Sequence, residues 1–133
     1  MNSLNKYQPY AIAVLRIVAG YCFLLHGTAK LLGLPHVEMF DGVTLFSLMG
    51  LAGVLEIVGG ILLIIGFFTR PVAFLLAGEM AVAYFTAHIS ISDFWLPLMN
   101  SGEPAVLFCF IFLFLVFSGA GAWSVDQRVA KAN

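Results

Sequence analysis

Apolar residues fill four stretches of this chain, at about 9–34, 45–68, 71–90 and 104–122, with short polar segments between them. Each is close to the ~20 residues that a helix needs to cross ~30 Å of hydrocarbon. The pattern predicts an all-α integral membrane protein, a bundle of four transmembrane helices forming a single domain over residues 1–133. Pro71 and Pro104 suit helix starts, where the missing amide donor costs nothing. Asn100 and Ser101 are available as caps before the fourth helix. The Ser118-Gly119-Ala120-Gly121 run is expected to end that helix. Trp123 then falls at headgroup level, and Ser124-Val125-Asp126 is expected to open a short turn.

Glycine spacing predicts how the helices touch. Gly53, Glu56 and Gly60 fall three and four residues apart, so they line one stripe of the second helix. Small residues on a stripe let helix backbones approach, and Glu56 on that stripe must then face protein rather than lipid. Gly59-Gly60 reads first as plain packing.

Composition supports the membrane reading. The chain of 133 residues is 62% hydrophobic and 10% charged, and its formal net charge is −1. That charge offers no basic face for nucleic acid. Lysine and arginine favour both tails and the Thr69-Arg70 link, while the other two loops are acidic. The positive-inside rule then places both termini in the cytoplasm. The first stretch is too long for a signal-peptide core and carries Arg16, His26 and Lys30, so it is expected to be a retained helix. Cys22 and Cys109 form no CxxC and read as two unrelated core thiols. The connection over 91–102 holds Phe94, Trp95, Leu96 and Leu98, which suits an interfacial lid.

Candidate chemistry comes from ionisable residues inside the apolar stretches. A charge at the bilayer centre costs roughly 2.5–3.5 kcal/mol on the most lenient scale, so such residues pair inside a bundle or build a site. Arg16, Glu56 and Glu79 are expected in one group, with Arg16 and Glu79 as structural ion-pair residues. A second group, His26, Lys30, His88 and Glu103, is expected toward the outer face, with Lys30 snorkelling to the interface. His26 and Lys30 are four apart and share a helix face, and Tyr84 and His88 repeat that spacing on the third helix. His26, His88 and Tyr84 are therefore expected around one outer pocket. A histidine near an interface exchanges protons around neutral pH, which suits a quinone or another proton-coupled carrier. No spacing marks a metal site, a phosphate loop or a nucleotide site.

Several runs resemble the DoxX family. They are Leu15-Arg16-Ile17-Val18-Ala19-Gly20 with Phe23-Leu24-Leu25-His26-Gly27 and Lys30-Leu31, then Gly53-Val54-Leu55-Glu56-Ile57-Val58-Gly59-Gly60. Gly66-Phe67-Phe68-Thr69-Arg70-Pro71, Asn100-Ser101-Gly102-Glu103 with Ala105, and Gly119-Ala120-Gly121-Ala122-Trp123-Ser124-Val125-Asp126 follow in the family's order. Ala120 stands where that family's closing motif often has proline. The resemblance implies a four-helix protein of the bacterial inner membrane. It also implies quinone handling, as in the thiosulfate:quinone oxidoreductase subunit that names the family, or thiol and oxidative-stress defence with soluble partners. The family's recurring polar positions correspond to Arg16, His26, Lys30, Glu56, Arg70 and Glu103.

The expected function is a membrane subunit of a quinone-linked oxidoreductase. His26, Lys30, Glu56 and Glu103 carry its chemistry, and His88 and Tyr84 contact the ligand. A membrane quinone, with nothing covalently bound, is the expected cofactor. The bilayer, a soluble redox partner and a second copy of the chain are the expected partners. A non-enzymatic membrane anchor and a small-solute transporter remain open as alternatives.

Overall fold

A computed structural model describes residues 2–88 and 94–132. All the regular structure among them is helical. A short α1 (Asn2–Asn5) leads into α2 (Gln8–Leu32), and a 3-10 turn, Glu38–Phe40, follows. Then come α3 (Leu48–Ile65), α4 (Thr69–Ala83), α5 (Glu103–Ser118) and a terminal α6 (Val125–Ala132). A π-helical turn, Tyr84–His88, extends α4. Gln8–Leu32, Leu48–Ile65 and Thr69–His88 are long and apolar enough to cross a membrane, while α5 is apolar but shorter. The boundaries lie within a few residues of those expected, α5 stopping soonest against its expected end.

The helix ends follow from local chemistry. The Ser47 hydroxyl accepts from the Gly50 amide at 3.0 Å and so caps α3. At its other end Gly66, at φ +69°, turns the chain left-handed, with Gly66 N–H bonding Leu63 O and Phe67 N–H bonding Leu62 O. α4 begins at Thr69, two residues before the expected proline, because the Asp126 carboxylate caps it from a distance. Its oxygens accept from Phe68 N at 2.8 Å and Thr69 N at 2.9 Å. Gly102, rather than Asn100 or Ser101, sits at the cap of α5, and Asn100 Oδ1 accepts from Gly102 N instead.

Two antiparallel pairs make the bundle, α2 with α3 and α4 with α5, each packed more closely than the pairs pack on one another. The α2–α3 seam is built on glycine. A Cβ on Gly20 would lie 2.8 Å from Gly60 O, and one on Gly27 would lie 2.7 Å from Gly53 O. The backbones therefore touch, as the glycine stripe predicts. Gly59 faces the other pair, where a Cβ would meet the Leu76 methyl groups at 2.9 Å. Phe23, Leu63, Leu76, Phe112 and Leu115 fill the centre, each 1% exposed or less. Val18, Val58, Phe74, Leu107 and Phe110 point outward, as lipid requires.

Both chain ends lie at one end of the bundle, where Ala122 N–H bonds Pro9 O at 2.8 Å and Asp126 N–H bonds Gly66 O at 2.9 Å. Trp123 packs edge-on against Tyr10 there. The expected turn after Trp123 is the start of α6. The expected lid over 91–102 falls partly outside the described residues. Of its remainder, Trp95, Leu96 and Leu98 are exposed.

Candidate functional site

The ionisable residues sort differently from the sequence expectation. Arg16 is fully buried and reaches no carboxylate among the described residues. Its Nε donates to Ala120 O at 2.8 Å, and Nη1 donates to Leu63 O and to Ile64 O. Its Nη2 donates to Ala122 O at 3.2 Å and Trp123 O at 3.0 Å. Leu63 and Ile64 lie in the last turn of α3, its negative pole, whereas Ala120, Ala122 and Trp123 belong to the segment between α5 and α6. The expected Arg16–Glu79 pair is thus replaced by a cation that caps α3 and ties it to the segment after α5. Gly66 makes room for it, since a Cβ there would lie 2.9 Å from the Arg16 Cζ.

Glu56 instead pairs with Lys30, Oε1 lying 2.6 Å from Nζ. Lys30 does not snorkel: its side chain is 9% exposed and turns inward, and that of Glu56 is 2% exposed. Helical side chains lean toward the N-terminus, so the Lys30 ammonium reaches back over the turn that holds His26. The Phe40 ring of the 3-10 turn covers the ammonium at 5.5 Å, a cation–π contact that the sequence did not signal. One Glu56 oxygen, Oε2, is buried without a hydrogen-bond partner.

Glu79 joins this cluster from α4. Gly59 packs on Leu76, and α3 and α4 run antiparallel, so Glu56 (three residues before Gly59) comes level with Glu79 (three after Leu76). Glu79 lies within electrostatic reach of both Glu56 and Lys30. Both of its oxygens are buried without a hydrogen-bond partner. Three acidic oxygens are therefore left open beside one ammonium.

His26 sits on the same face of α2 as Lys30 but is exposed at the rim of the bundle. Its ring lies between Phe23 at 6.3 Å and Phe108 at 6.4 Å, where α2 meets α5. The expected outer pocket of His26, His88 and Tyr84 does not form among the described residues. His88 stacks on Tyr84 at 6.5 Å, and its Nδ1 lies 3.2 Å from Asn100 O. The Tyr84 hydroxyl donates to Phe94 O at 2.9 Å and accepts from Asn100 Nδ2 at 3.3 Å. This second set ties the π turn to the segment before α5. Glu103 is exposed in the first turn of α5, where its charge suits the helix dipole. Arg70 is exposed, its Nη1 donating to Val116 O at 2.6 Å and Phe117 O at 2.9 Å. Cys22 and Cys109 are both free thiols.

A cavity of about 430 Å³ opens at the chain-terminal end, lined by Thr69, Arg70, Gly119 and Asp126 among others. An apolar groove of about 580 Å³ runs along Tyr7, Tyr10, Val14 and Val18. Neither touches the carboxylate cluster. No group of three or more histidine, cysteine or acidic residues suited to a metal occurs among the described residues.

Apolar helices around a buried ammonium–carboxylate cluster define a helical membrane protein with a polar interior. Comparison with known proteins agrees: the DoxX family model matches residues 11–89, and the chain belongs to the DoxX family. An uncharacterized protein of Haemophilus influenzae is 49% identical, the match covering 98% of this chain and 99% of that protein. The putative oxidoreductase CatD of Bacillus subtilis is 27% identical, covering 98% of this chain and 95% of its own. The inner membrane protein YqjF of Escherichia coli is 28% identical, with 96% and 98% covered. No solved structure matches. The protein is an inner-membrane protein, in contact with the lipid bilayer.

Proposed function

We propose that this protein is the membrane subunit of a quinone-linked oxidoreductase or oxidative-stress system. The observation that carries the reading is the Lys30–Glu56–Glu79 cluster with its open carboxylate oxygens, Lys30 lying one helical turn along α2 from the exposed His26. A quinone would supply the acceptor for two electrons and two protons. The residues here fit its headgroup: His26 is a hydrogen-bond donor at the rim, framed by the Phe23 and Phe108 rings. Lys30 holds positive charge near a developing anion. Glu56 would relay the protons. The chain's residues form no electron-carrying centre in this reading, so electrons come from a soluble redox partner or a diffusible thiol reductant. CatD, the relative named as a putative oxidoreductase, agrees with that class of chemistry.

Four crossings, both termini in the cytoplasm, a single membrane domain and a homo-oligomer complete the proposal. The shared end of the bundle carries Lys6, Arg70, Arg128 and Lys131, which supports a cytoplasmic placement. In this reading His88 and Tyr84 stay outside the quinone site, because their contacts anchor the segment before α5 instead.

A non-enzymatic anchor is the second reading, favoured by the two cavities lying away from the cluster. Solvent extraction of the purified protein separates them. Near-stoichiometric quinone in the wild type, lost in a folded His26→Ala, Glu56→Gln variant, supports the quinone site. Equal traces in both support the anchor.

A further inference from the structure

Charge counting in the buried cluster gives Glu79 a role. Two carboxyl groups and one ammonium meet there, and the elements around them add no second cation. From α2 come Lys30 and the rim residue His26; α3 brings Glu56 and α4 brings Glu79. Beyond its first-turn Glu103, α5 has no charged residue. Arg16 is committed at the other end, every N–H donating to a carbonyl. With both carboxyls ionised the apolar interior would hold a net negative charge, which burial penalises heavily. Two carboxylates sharing one site do not both ionise readily. The open oxygens, Oε2 of Glu56 and both of Glu79, are where the missing positive charge can sit.

We infer that Glu56 and Glu79 bind one proton between them, which makes the pair a proton-holding site inside the membrane. The site exists whether or not a quinone uses it; only its purpose rests on the proposed function. Lys30 fixes the number. The ammonium offsets one carboxylate, and the proton neutralises the other.

A hydrophobic carbodiimide tests this on the full chain in native membranes. The reagent enters through lipid and adds to protonated carboxyls, its nitrogen taking the proton and its carbon the carboxyl oxygen. The adduct therefore gains the whole reagent mass and can be mapped by peptide mass spectrometry. In the wild type one adduct per chain is expected, at Glu79 or Glu56. In Glu56→Gln the remaining pair, Lys30 and Glu79, is already neutral, so labelling of Glu79 should slow roughly tenfold or more. In Lys30→Met both carboxyls should be protonated, and a second adduct should appear. Glu79→Gln removes no hydrogen bond and reads the converse at Glu56 should Glu56→Gln fail to fold. Absence of any adduct in the wild type overturns the inference, and so does labelling of Glu79 that ignores Glu56→Gln. Quinone extraction is a separate readout, so failure of the redox reading leaves the labelling result standing.

Discussion

Arg16 and Glu56 are both charged residues buried in an apolar bundle, and the fold treats them in opposite ways. Every N–H of Arg16 meets a backbone carbonyl, at the end of α3 or in the segment after α5. Glu56 meets Lys30 through one oxygen and leaves the other open, beside a Glu79 with both oxygens open. A group whose bonds are complete serves the architecture. A group left incomplete where burial makes that expensive is where chemistry belongs.

The contrast can be broken by substitution. The largest effect should come from Arg16→Ala, which takes a donor from five carbonyls at one stroke. A loss of about 3 kcal/mol or more is expected, read as a lowered thermal midpoint in detergent. Arg16→Lys should rescue it only in part, since three donors on a point charge cannot reach the same carbonyls. Should Arg16→Ala unfold at the wild-type temperature, the clamp described above is wrong. Next comes Gly66→Ala, which forces a side chain into φ +69° with its Cβ 2.5 Å from Ser124 Cβ and against the guanidinium. About 1–3 kcal/mol of destabilisation is expected by the same assay.

Lys30→Met should cost less than Arg16→Ala, because the carboxyls it strands can neutralise themselves by taking up protons. Its thermal midpoint should therefore lie above that of Arg16→Ala. The smallest effect belongs to Glu79→Gln, an isosteric change with no hydrogen bond to lose. A shift within about 0.5 kcal/mol is expected, and a large loss would show that Glu79 is as structural as Arg16.

Much of this fold could be read from the chain. Length and apolarity place α2, α3 and α4, and the Gly53-Glu56-Gly60 stripe correctly turns Glu56 inward. The shared end of the termini follows from charge and an even number of segments. The partners of the charges could not be read the same way. Arg16 bonds backbone carbonyls, which every residue carries, so no side-chain pattern marks them. The signal that was present lies in Gly66, Gly119 and Gly121, whose positive φ bends the chain ends around the guanidinium. Lys30 differs from its expected place for another reason: its backbone sits near the end of α2, while its long side chain reaches back toward the helix start. The outer pocket expected around His26 and His88 fails because the two rings belong to different packing neighbourhoods, one beside α5 and the other on the π turn.

The placement of the cross-links has one more consequence. Arg16 ties α3 to the chain after α5, while Pro9 and Gly66 bond Ala122 and Asp126 of the terminal segment. At the far end the described polar bonds stay within a pair: Lys30 with Glu56, Tyr84 and His88 with Asn100. The bundle is thus stitched like a book at its spine, and its two covers are the two helix pairs. Any parting of the covers would pivot near Arg16 and widen toward the fore-edge. Glu56 and Glu79 lie on facing pages, one on each cover.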